Sequence, residues 1–138
     1  MKLKLYLVAL ISFLAMDSLW LGLVAPQFYR SQIGFIMAES PNFMAAGIFY
    51  LLFIAGMVVF VVEPGVNDMS ISQAVLRGAF FGLITYATYD LTNLATLAGW
   101  PILVTIVDML WGTILSSMVT LVCVWVGKRF LQQRQLSA

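Results

Sequence analysis

The chain has 138 residues, 62% of them apolar and 9% charged, with a formal charge of +1 and a mean hydropathy of +1.00. Soluble domains carry roughly a quarter charged residues, so lipid is the expected main solvent, and a charge this close to neutral leaves no basic face for nucleic acid. One cysteine and no histidine exclude an internal disulfide, a C-x-x-C redox pair and histidine-based haem, metal or general-base chemistry, so no cofactor and no metal site are expected.

Each helical crossing of a bilayer takes roughly 20 apolar residues, and the apolar runs are too long and continuous for barrel strands. An all-α fold is expected: a single membrane domain over 1–138, with four transmembrane helices in a small bundle. The first run, about 5–25, follows Lys2 and Lys4; its length, and Pro26 directly after it, argue for an anchor rather than a cleaved signal. The connection 26–42 contains Phe28, Tyr29, Ile33, Phe35, Ile36 and Met37. These suit either a segment lying in the membrane interface or a buried loop, because they show no clean period.

The second run, about 43–62, stops at the turn-forming cluster Glu63-Pro64-Gly65. Tyr50 is its one strongly polar side chain, and Phe49, Phe53, Met57 and Phe60 read as packing or lipid-facing surface, which makes this helix a cover. The third run, about 73–99, is opened by Ser70-Ile71-Ser72-Gln73, which fits a capping box. A very short turn at Trp100-Pro101 leads to the fourth, about 101–126, which leaves the membrane at Gly127-Lys128-Arg129. The tail 130–138 reads as a solvated end. With both termini in the cytoplasm, Lys2, Lys4, Arg77, Lys128, Arg129 and Arg134 lie inside, leaving Arg30 as the one basic residue outside.

Three acids fall within the runs, Asp17, Asp90 and Asp108. A carboxylate at mid-membrane costs several kcal/mol or about 3 on lenient scales, so an intramembrane acid marks a site by default. At about 1.5 Å per residue, Asp17 and Asp90 stand roughly 20 Å from the inner ends of their helices, and Asp108 lies in the same outer half. Thr105, Asp108, Gly112, Ser116 and Thr120 recur at helical spacing along the fourth run, the first offers Ala15, Ser18 and Gly22, and the third begins with Gly78-x-x-x-Gly82. Small residues let membrane helices approach closely. The candidate polar site is therefore Asp17, Asp90 and Asp108 with Asn93, Tyr86, Tyr89, Trp20, Trp111 and Thr105, and the same small-residue faces could support a homodimer. Asp17-x-x-Trp20 and Asp108-x-x-Trp111 resemble each other, as an inverted repeat would, though a match this short arises readily by chance. The alternative role for the acids is interhelical packing by hydrogen bonds, for which carboxylates are inefficient, because one intramembrane hydrogen bond contributes about 0.6 kcal/mol.

The segments Asp17-x-x-Trp20-Leu21-Gly22, Phe28-Tyr29-Arg30, Tyr86 to Leu97, Trp100-Pro101 and Val107-Asp108-x-x-Trp111-Gly112-Thr113 resemble those of the small bacterial membrane proteins grouped as domain of unknown function 2177. The resemblance covers nearly the whole chain. It implies four spans and a multi-pass protein of the bacterial inner membrane, and it brings no activity, substrate or cofactor. Three functions stay open: a site that binds or carries a proton, cation or small solute; a lipid- or isoprenoid-modifying enzyme working by aspartate acid–base chemistry; or an accessory subunit of a membrane complex. The expected partners are membrane lipids and a second copy of the chain through the small-residue helix faces, with no nucleic acid.

Overall fold

In the first helix, α1 (Lys2–Leu23), every fourth side chain turns inward, so that Leu5, Ala9, Phe13 and Asp17 are its buried residues. Residues four apart share a face, and the stripe that packs the helix therefore also carries its acid inward. The computed structural model describes residues 1–136, so the last two positions of the expected tail, 137 and 138, lie outside the described residues. After a bend at Val24 a short helix, α2 (Ala25–Ile33), begins with Pro26 in its first turn and passes into a 3-10 turn, Gly34–Ile36. The connection between the first two runs is thus largely helical.

Asn42 caps α3 (Phe43–Met57), its Oδ1 accepting from the Ala45 N–H at 3.0 Å. The helix does not stop at Glu63-Pro64-Gly65 as the sequence suggests. A π-helical stretch, Val58–Val62, leads into α4 (Glu63–Asp68), and one apolar helix runs over Phe43–Asp68. The widened turn closes with the Glu63 N–H on the Val58 carbonyl. Pro64 then falls in the first turn of α4, where its missing N–H and fixed φ are tolerated.

Ser70 and Gln73 form both bonds of the expected capping box at the start of α5 (Ile71–Thr96). A turn whose Gly99 takes φ 77°, a conformation open to glycine at no steric cost, sends the chain back as α6 (Ile102–Leu136). The two helices pair antiparallel in four-residue steps: Gly78 lies on Thr120, Gly82 on Ser116, and the Tyr86 ring on Gly112. A Cβ on any of these glycines would collide with its neighbour. The small faces expected on the third and fourth runs are therefore used within the chain. One further step sets Asp90 opposite Asp108.

Past Gly127-Lys128-Arg129, where a solvated tail was expected, α6 continues to Leu136. Gly127 lies close against Val66 and Leu5, and Leu131 packs on the apolar core. The start of α1 and the last turns of α6 lie at one end of the bundle, with the Lys4 ammonium 5.5 Å from the Phe130 ring and Lys2 2.9 Å from Glu63. Towards that end the interior is apolar, built from Leu5, Ala9, Ile54, Met57, Val61, Val62, Val119 and Val124. Leu19, Leu52, Phe80, Ile102 and many other large apolar side chains face outward, the reverse of a water-soluble protein.

Among the described residues, three helices are long and apolar enough to cross a membrane: Lys2–Leu23, Phe43–Asp68 and Ile102–Gln133. The sequence suggests a fourth in α5, which has 26 residues and so about 39 Å of length, but it is more polar. Its threonine hydroxyls are satisfied locally: Thr85, Thr88 and Thr96 each donate to the carbonyl four residues back, at 2.8–2.9 Å.

Candidate polar site

Beyond Phe13, towards α2, the interior turns polar in two adjoining clusters. In the first, Asp17 of α1 accepts from Tyr50 Oη of α3 at 2.9 Å on Oδ2 and from Trp111 Nε1 of α6 at 3.2 Å on Oδ1. In the second, Tyr29 of α2 donates its hydroxyl to Asp108 Oδ1, while Trp20 Nε1 of α1 donates to Tyr29 Oη at 3.4 Å. The Trp20 and Trp111 rings stack between the clusters, centroids 4.7 Å apart.

Asp90 is fully buried, and among the described residues no donor reaches either of its carboxylate oxygens. The group it faces is the Asp108 carboxyl. An ionised carboxylate has only acceptors, so neither acid can satisfy the other while both are charged. None of the three aspartates has a Lys or Arg partner among the described residues. Burial, and then the hydrogen bond to Asp108, push the Tyr29 phenol well above its ordinary range, which keeps it a donor.

Tyr86 lies within electrostatic reach of all three acids, and its hydroxyl makes no hydrogen bond among the described residues. Beside it a cavity of about 330 Å3 is lined by Phe49 and Phe53 of α3, Thr85, Tyr86 and Tyr89 of α5, and Asp108. It opens sideways between α3 and α5, whose facing side chains Phe49 and Tyr89 are half exposed. At the other end of this gap α5 packs on the π-helical stretch, and Phe81 bridges to Phe53 with ring centroids 5.4 Å apart.

The remaining expected residues take other places. Thr105 accepts from Trp100 Nε1 at 3.1 Å and reaches the backbone carbonyl of Asp90, not a carboxylate, so it locks the α5–α6 turn. Asn93, expected beside Asp90, makes no hydrogen bond to its carboxylate oxygens among the described residues. Tyr89 packs edge-on against Trp100 at 5.7 Å. Tyr29 and Tyr50 are the site residues that the sequence reading passed over. Tyr50 was signalled by being the lone strongly polar side chain of a very apolar run, whereas Tyr29 in its interfacial segment carried no comparable mark.

Buried acids ringed by phenols and indoles, inside a bundle with an apolar exterior, are what a membrane protein with an internal polar site requires. The family profile described as predicted membrane protein, domain of unknown function 2177 (DUF2177), matches residues 2–125. The chain belongs to the DUF2177 family. No curated protein and no solved structure matches it. In this DUF2177 protein the matched segment contains every residue of both polar clusters, from Asp17 to Trp111.

Proposed function

We propose that this protein binds a small positively charged solute, a proton included, in the cavity beside Asp108. The observation that carries the reading is the Asp90–Asp108 pair: two buried acids with no cation partner among the described residues, one of them on the wall of a cavity between α3 and α5. Apolar pockets with a few convergent polar groups are the usual form of a ligand site, and acids inside a membrane usually mark ion or substrate paths.

The wider setting belongs to the same proposal. Four crossings with both termini cytoplasmic are supported by the six basic residues that then lie inside, and the cavity then lies in the outer half of a bacterial inner membrane. A homodimer would use Gly22 and Gly47, whose faces are open, since Gly78, Gly82 and Gly112 are occupied within the chain. An acid–base role on a lipid is favoured by one feature, the unpartnered Tyr86 hydroxyl beside the acid pair; a lipid profile altered by Asp90→Asn in cells would support it.

The test is tryptophan fluorescence of the protein in lipid nanodiscs during acidification and during titration with sodium, potassium and small ammonium ions. A saturable response in the wild type that Asp108→Asn removes is expected. The same response in both proteins, or none in either, would refute the reading.

A further inference from the structure

The walls of the cavity narrow the class of solute. An inorganic cation gives up its water only to several oxygen ligands, and here the choice is poor. Asp108 is one carboxyl, the Thr85 hydroxyl is committed to the Phe81 and Gly82 carbonyls, and no group of three metal-binding side chains occurs among the described residues. Four aromatic rings, Phe49, Phe53, Tyr86 and Tyr89, make up most of the wall. Ring faces attract weakly hydrated organic cations, and desolvation strengthens the attraction.

Charge and shape add two further restrictions. Asp108 is the one carboxyl on the cavity wall and has no Lys or Arg partner among the described residues, so the wall offers one negative charge and matches one positive charge. Outside the cavity, Phe49 and Phe53 continue into an apolar groove along α3 and α5 formed with Gly56, Phe60 and Phe81. It runs on the side of the bundle where the large side chains face outward.

We infer that the occupant is a monovalent organic ammonium ion with an apolar arm, its charged head between the four rings and Asp108, its arm in the groove between α3 and α5. It enters from the bilayer. This rests on the reading that the cavity binds a positively charged solute, and it adds the solute's class and route.

The experiment compares benzyltrimethylammonium with its uncharged isostere neopentylbenzene on the whole protein in zwitterionic nanodiscs, followed by tryptophan fluorescence, since Trp100 packs on Tyr89. Saturable binding of the ammonium ion is expected, at least tenfold tighter than that of the hydrocarbon and at least tenfold weaker in Asp108→Asn. Phe49 faces outward, so its variants should fold: Phe49→Leu should weaken binding severalfold and Phe49→Trp should keep it. Equal binding of the hydrocarbon, or no difference between the two Phe49 variants, would overturn the inference. A response to protons or sodium alone, lost in Asp108→Asn, would overturn it while leaving the cationic-solute reading in place. Ammonium binding indifferent to Asp108→Asn would overturn both.

Discussion

Trp20 and Trp111 stack nearly parallel, planes inclined by 10°, and each indole N–H serves the half of the site that does not contain the aspartate three residues before it. Trp111 donates to Asp17, and Trp20 donates to Tyr29, which donates to Asp108. Because α1 and α6 run antiparallel, the two Asp-x-x-Trp segments meet head to tail across the stack. The resemblance read in the sequence thus has a spatial counterpart, whatever its origin.

Cross-helix rather than same-helix pairing predicts a pattern of couplings. In a double-mutant cycle, Asp17→Asn with Trp111→Phe should show an interaction of about 0.6 kcal/mol, the mean for intramembrane hydrogen bonds. Asp17→Asn with Trp20→Phe should be near additive. Unfolding measured by steric trapping in bicelles provides the energies, and a larger coupling for the same-helix pair would contradict the arrangement.

Glycine replacements should separate sharply. Gly82→Ala and Gly112→Ala push a methyl into Ser116 and into the Tyr86 ring, so a loss of about 1–3 kcal/mol, the usual cost of overpacking, is expected for each. Gly22→Ala meets nothing within 4 Å and should leave stability unchanged or slightly raised, helix propensity favouring alanine by up to about 1 kcal/mol. Thermal denaturation in a mild detergent ranks the three.

The polar stripe of α6 and the capping box of α5 were legible because both are local patterns of spacing. The Asp90–Asp108 encounter was legible in principle too. A short turn with a glycine at positive φ fixes the hairpin register, and four-residue steps from Gly78 and Thr120 lead to the two acids. What spacing could not show was long-range: that α3 continues through Pro64 by widening one turn, that Tyr50 turns toward Asp17, and that α2 folds back to set Tyr29 on Asp108. Those depend on helix rotation and on a connection without a hydrophobic period. A shared stripe likewise does not decide which neighbour the Asn93 amide prefers.

Tyr29 gives a pH dependence. Burial and the bond to Asp108 raise its phenol above the ordinary value near 10. A group with a raised folded-state value contributes its stability fully below the unfolded value and loses it as pH rises through the folded one. Stability should therefore fall in the alkaline range above pH about 10, and Tyr29→Phe should make that fall shallower. Melting temperatures across pH 8 to about 11.5 would show it, the range being set by the ordinary tyrosine value; identical profiles would exclude Tyr29 as the source.

Lys128 was counted as one of the basic residues that orient the chain, yet its ammonium donates to the Val66 carbonyl at 3.1 Å. Helix α4 ends two residues later, where Met69 turns extended, and the last carbonyls of a helix have no partner within it. A cation there satisfies an acceptor and complements the negative end of the helix. Lys128→Met keeps the apolar stem and removes the donor, so a loss of roughly 1 kcal/mol is expected, the half-exposed head limiting the effect. Arg129 lies with its guanidinium 4.1 Å over the exposed Trp125 ring, and Arg129→Met should cost less. Neither change should invert the chain in a cysteine-accessibility topology assay, because Lys2, Lys4 and Arg77 remain. Inversion by Lys128→Met without loss of stability would show that its charge acts on orientation and not on the end of α4.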